Sequence, residues 1–254
     1  MSPVVTPYRF TDRPREVIDF LELLGLRTLL RQDDFAILAG RSGRVAVHPR
    51  ATQNRPHEHP STLVLGVPDV PAAAEELSAA GLDATWWDEA FGRQASVAGP
   101  AGLVTLDEEV EDTYGYDVVA EPAVSAVDVV ATLFPADLQE TEAFFRRLGF
   151  APGPDASPDW RSLRAGERSG ALGLMAPTSD APAPSPGREA YAEIGVETAE
   201  ALGQLADRLR GAGHAVAVVD DSGPTHLVVR DPDGIELEVY RVRELADRAE
   251  ERHE

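Results

Sequence analysis

The chain contains no cysteine and no lysine; all 23 of its basic residues are arginine. Without thiols there are no disulfides, no iron–sulfur cluster, no cysteine-held zinc and no thiolate nucleophile. Without a lysine amine there is no Schiff-base chemistry and no phosphate-loop lysine. No apolar run approaches the roughly 20 residues that cross a bilayer. The first residues, MSPVVTPYRFTDRPREV, lack a basic segment followed by an apolar one, so no signal peptide is expected. Positive charge is scarce as well: 44 acidic residues leave a net charge of −21. Nucleic acid and anionic membrane are therefore not expected as partners, because both are held by an excess of Lys and Arg. A cytoplasmic location is the expectation.

What is present is ordinary globular composition, 43% hydrophobic, in a length that suits two domains. The chain also repeats itself. Four helix-like segments each end near a glycine: PREVIDFLELLGL at Gly25, VPAAAEELSAAGL at Gly81, LQETEAFFRRLGF at Gly149 and AEALGQLADRLRGAGH at Gly213. The first carries Val17, Phe20, Leu21 and Leu24 at i, i+3, i+4 and i+7. Val70, Ala73, Ala74 and Leu77 repeat that spacing, as do Leu202, Leu205, Ala206 and Leu209. A strand-like run precedes each helix and others follow it, so each unit reads β-α-β-β-β. Gly25 and Gly149 are 124 residues apart, and Gly81 and Gly213 are 132 apart, as are Gly102 and Gly234. The spacing describes a duplication of a duplication.

Composition marks the joints. Residues 107–124 are acidic and end near Pro122, which suits a linker between domains. Residues 176–190, APTSDAPAPSPGREA, read as an extended connection between the two C-terminal units. The division is an N-terminal domain over 1–110 (units 1–48 and 60–108), a linker over 107–124 and a C-terminal domain over 124–242 (units 124–175 and 189–241). Residues 242–254 read as a helical tail. Residues 120–254 are expected to fold when expressed alone.

The stretch VVRDPDGIELEVY, residues 228–240, has the clearest local logic. Pro232 presets φ for a turn, and Gly234 supplies the positive φ that reverses the chain. In the strand that follows, Ile235, Leu237 and Val239 share one face, while Glu236, Glu238 and Tyr240 share the other. If the apolar set packs on a helix, two carboxylates and a phenol face a cavity.

Paired β-α-β-β-β units, the last strand introduced by D-P-D-G, resemble the vicinal oxygen chelate superfamily of glyoxalase I, bleomycin-resistance proteins and extradiol dioxygenases. The resemblance covers nearly the whole chain, strongest at 228–240 and weakest at 83–100. It implies an α+β fold of four βαβββ units forming two glyoxalase-like half-barrel domains, each curled around a cavity. Metal-dependent members take one ligand from a first strand and a Glu four residues past the turn glycine on a last strand. Glu238 stands at that last-strand position. Counting back from the residue that opens each helix places Val5, Thr62, Val129 or Val130, and Ala190 at the first-strand positions, and Leu106 at the other last-strand position. None is a transition-metal ligand.

His226, on the strand before the turn, is placed to meet Glu238 as an acid–base or hydrogen-bonded pair. His48, His57 and His59 match no metal spacing and are expected in a solvated loop; His214 is expected to be structural. Trp160 and one of the adjacent Trp86 and Trp87, namely Trp86, are expected to wall cavities. Glu236, Glu238, Tyr240, His226, Trp160 and Trp86 are thus the candidate ligand-binding residues, and Glu238 the one candidate metal ligand. The residues leave enzyme and binding protein both open. The preferred reading is metal-independent binding or sequestration of a small organic molecule, with no cofactor, by a monomer or homodimer. The alternative is a lyase, isomerase or dioxygenase using a divalent metal.

Overall fold

The computed structural model describes residues 2–52, 57, 59–90, 92–109, 113, 115–119, 124–177, 184, 187–220 and 224–242. The C-terminal tail from 243 onward and most of the 176–190 connection lie outside the described residues.

The first unit comprises β1 (Val4–Val5), β2 (Tyr8–Thr11), α1 (Pro14–Leu24), β3 (Arg27–Gln32), β4 (Phe35–Ala39) and β5 (Arg44–Pro49). The second comprises β6 (Ser61–Thr62), β7 (Val64–Val67), α2 (Val70–Ala79), β8 (Ala84–Asp88), β9 (Arg93–Gly99) and β10 (Gly102–Glu108), followed by β11 (Asp117–Val118). The third is β12 (Val127–Leu133), α3 (Leu138–Arg147), β13 (Ala151–Ser157), β14 (Trp160–Arg164) and β15 (Ala171–Met175). The fourth is β16 (Glu193–Thr198), α4 (Leu202–Gly211), β17 (Val216–Val219), β18 (His226–Arg230) and β19 (Glu236–Arg241).

Local signals account for the helices. Pro14 opens α1, and the Asp69 and Asp137 side chains cap α2 and α3 by accepting from Ala72 and Glu140 backbone N–H groups at 2.9 Å. The apolar stripes of α1 and α2 are buried as their spacing requires; α4 buries Leu205, Ala206 and Leu209.

Units three and four share one eight-stranded sheet in the order β13-β14-β15-β12-β16-β19-β18-β17. It is an open half-barrel with α3 and α4 on its convex side. The N-terminal half repeats the plan with an interruption. Its first strand is broken at Pro7, which has no N–H to give a ladder, so β2 pairs with β6 while β1 pairs with β7. Two sheets result, β11-β3-β4-β5-β2-β6 and β1-β7-β10-β9-β8. The expected 107–124 linker is partly structure: Glu108 ends β10, and β11 returns to pair with β3.

The halves share their interior. One buried cluster runs from Val70, Ala73 and Leu77 of α2 to Phe144 and Phe145 of α3. A second runs from Phe20 and Leu24 of α1 to Leu205 and Leu209 of α4. Phe144 lies so close to Gly99 that a Cβ there would meet its ring at 2.7 Å. Gly43 and Gly170, both at positive φ, meet backbone to backbone across the junction. Backbone bonds also cross, among them Val5 N–H to Ser169 O at 2.7 Å and Leu63 N–H to Ala190 O at 2.8 Å. This shared interior bears on the expectation that residues 120–254 fold alone, because α3 and α4 bury part of their surface against the other half.

Candidate functional site

The concave face of the C-terminal sheet forms a cavity of about 310 Å³. Its floor follows from strand alternation. On β12, Val127, Val129, Ala131 and Leu133 are buried on the helix side, so Val130 and Thr132 face inward. On β16, Ile194 and Val196 join the core while Glu193, Gly195 and Glu197 face the cavity. On β19, Leu237 and Val239 are buried and Glu236, Glu238 and Tyr240 line the cavity, the division that the D-P-D-G strand predicts.

Trp160 forms a wall from β14. Its indole lies across β15 at Gly173, where a Cβ would meet the ring at 2.2 Å. Only glycine leaves room for it there.

Four carboxylates open into this space. Glu236 accepts from Arg230 Nη2 at 2.8 Å, and Glu197 from Arg164 Nη2 at 2.8 Å. Glu238 accepts from the Tyr240 hydroxyl at 2.9 Å, and Glu193 from the Tyr191 hydroxyl at 3.2 Å. Burial pushes the Glu193 carboxyl up, the Tyr191 bond opposes this, and the charges of Glu238 and Glu236 add to the rise.

His226 stacks on Tyr240 with ring centroids 4.7 Å apart, and its Nδ1 lies 3.0 Å from the Pro224 carbonyl oxygen. A carbonyl only accepts, so Nδ1 carries a proton. The ring's Nε2 faces Glu238 Oε1 at 4.0 Å, too far for a hydrogen bond.

The structure thus brings together Glu236, Glu238, Tyr240 and Trp160, with His226 beside them. It does not bring Trp86. Trp86 pairs with Ala95, a core residue on the helix-bearing face of the N-terminal sheet, and is 45% exposed with Arg93 over its ring. Trp87 is the tryptophan on the other face. Sequence reading missed Glu193, Glu197, Thr132 and Met175, although AYAEIGVET shows the alternation that exposes the two glutamates.

Two histidine expectations need correcting. His48 is half-buried beside Tyr8 and Phe35 (centroids 4.5 and 4.6 Å), and the pKa of its imidazole is lowered to about 4 by desolvation and by His57. His57 stacks on Phe10 at 3.6 Å and bonds Glu189 at 2.8 Å. Neither is a solvated loop residue. His214, expected to be structural, packs on Phe20. Beside His48 the Tyr8 hydroxyl donates to Asp107. Burial holds the Asp107 carboxyl above its ordinary range.

The donor set does not fit a transition metal. Val130 and Thr132 face the cavity from β12 and Gly195 from β16 between Glu193 and Glu197, so neither strand offers an imidazole. Among the described residues no three His, Asp or Glu side chains converge as metal ligands. The one-to-one count that equated Leu106 with Glu238 slips by one residue: Leu106 is in the core, and Asp107 faces inward. β10 starts at Gly102 itself, whereas β19 starts two residues past Gly234.

Residues 127–239 match the family model of the Glyoxalase/Bleomycin resistance protein/Dioxygenase superfamily. No curated protein sequence matches the chain significantly. The 2,3-dioxygenase LapB from Pseudomonas sp. KL28 superposes with a TM-score of 0.60 over 95% of this chain and 92% of its own, at 14% identity. A catechol 2,3-dioxygenase gives 0.60 over 95% and 87% at 13% identity. The 2,2′,3-trihydroxybiphenyl 1,2-dioxygenase from dibenzofuran-degrading Sphingomonas wittichii strain RW1 gives 0.57 over 96% and 92% at 17% identity. These likenesses are of fold. The family match is thus confined to residues 127–239, and over the rest of the chain the likeness to these dioxygenases is one of fold alone.

Proposed function

We propose that this protein binds a small organic molecule in the C-terminal half-barrel without a metal. The observation that carries the reading is the cavity of about 310 Å³ walled by Trp160 and Tyr240, to which β12 and β16 offer no imidazole and whose carboxylates form no convergent ligand group among the described residues. Sequestration needs only such a walled cavity; turnover needs reacting groups as well. A second reading, a divalent-metal lyase, isomerase or dioxygenase with Glu238 as one ligand, is supported by the dioxygenase neighbours. A fluorescence screen of small aromatic and heterocyclic compounds tests the first. Ligands should quench tryptophan emission in wild type and in Trp86→Phe, and fail to do so in Trp160→Phe. Quenching that survives Trp160→Phe would move the site elsewhere.

A further inference from the structure

The carboxylates of the cavity are unequally compensated. Glu197 and Glu236 have arginine partners at its rim, Arg164 and Arg230. Glu193 and Glu238 instead accept from the Tyr191 and Tyr240 hydroxyls, Glu238 also faces His226 at 4.0 Å, and among the described residues no arginine lies within ion-pair distance of either. Arg241 borders the cavity but is exposed and forms no ion pair with them. His226 directs its Nδ1 to the Pro224 carbonyl at 3.0 Å and holds its Nε2 4.0 Å from Glu238, beyond hydrogen-bond reach. These are not merely clustered surface acids, because they open into a walled space beside the indole of Trp160, held flat by Gly173.

We infer that the cavity selects a planar organic cation, an aromatic ammonium or quaternised heterocycle of one or two rings, with its charge on Glu193 and Glu238 and its ring against Trp160 and Tyr240. The inference rests on the reading of the cavity as a binding site. Each part follows from elementary electrostatics. Two carboxylates without an arginine partner, side by side on the cavity floor, favour a ligand that brings positive charge. Aromatic walls add cation–π attraction. A chain of net charge −21 draws cations toward every opening and repels anionic ligands.

Three bicyclic probes of matched shape separate the outcomes: 1-methylquinolinium as cation, 1-methylnaphthalene as neutral analogue and 1-naphthoate as anion. Their Kd values are measured by tryptophan quenching at pH 7.5, in wild type, Trp160→Phe and Glu193→Gln/Glu238→Gln, with circular-dichroism melting to confirm folding. The cation should bind wild type at least about tenfold more tightly than the neutral probe, the anion should be weakest, and the double variant should erase the preference. A neutral or anionic probe that binds as tightly as the cation, with quenching lost in Trp160→Phe, would overturn the cation inference and leave the binding cavity standing. A double variant that keeps the preference would also overturn it. If none of the three quenches at millimolar concentration, both the inference and the cavity reading fail. Should the double variant not fold, the single variant Glu238→Gln is compared, and an undiminished preference in it overturns the assignment.

Discussion

At the scale of single residues, His48 shows how burial decides chemistry. An imidazole among Tyr8, Phe10 and Phe35 cannot take a proton cheaply, so its folded-state value falls to about 4 from an ordinary 6.5. The unfolded chain binds that proton first on acidification. Stability from this group is fully present above pH 6.5 and is lost as pH falls toward 4, by about 3 kcal/mol. Asp107, raised by burial, acts in the opposite sense at the acid end of the same window. NMR titration of His48 should show a neutral ring at pH 5.5; a midpoint near 6.5 would contradict its desolvation. Such environments were not legible in sequence, because His48 and His57 sit beside Pro-rich segments that read as loop. What buries them is packing against β2 and, for His57, a contact with Glu189 more than a hundred positions away. Glu238 and Tyr240, by contrast, needed only strand alternation.

At the scale of elements, the D-P-D-G turn has a structural task. Asp231 Oδ1 accepts from the N–H groups of Asp233 and Ile235 at 2.9 Å and so holds the turn. Its Oδ2 accepts from Arg9 Nε at 2.9 Å, and Asp233 accepts from Arg9 Nη2 at 2.6 Å. Arg13 donates to the Pro232 carbonyl. Arg9 belongs to β2 of the other half, and both it and Asp231 are buried. The turn therefore clasps the two halves while it aims β19 into the cavity. Arg9→Ala leaves a buried carboxylate without its cation, and should cost about 3–5 kcal/mol in urea unfolding. A loss under 1 kcal/mol would show the pair to be dispensable. The turn's geometry was readable from Pro232 and Gly234. Its partner was not, since no local pattern ties residue 9 to residue 231.

At the scale of the whole molecule, the fourfold repeat made the architecture legible. Helix stripes, terminal glycines and the recurrent offsets located the units and the half-barrel of the C-terminal pair. The join between halves was invisible, because a stripe shows that a helix is buried and not against what. With α1 packed on α4 and Phe144 on Gly99, residues 120–254 expressed alone should be aggregated or molten, with no cooperative thermal transition. A monomeric, cooperatively melting fragment would show that the shared core is dispensable. The central claim is that the C-terminal half-barrel works as a metal-independent binding cavity. The most direct measurement is elemental analysis of protein purified without chelator and reconstituted with Fe(II), Ni(II), Mn(II) or Zn(II), beside Glu238→Ala. The account predicts no stoichiometric metal in either protein. One metal per chain in wild type, abolished by Glu238→Ala, would contradict it and make the cavity a metal centre.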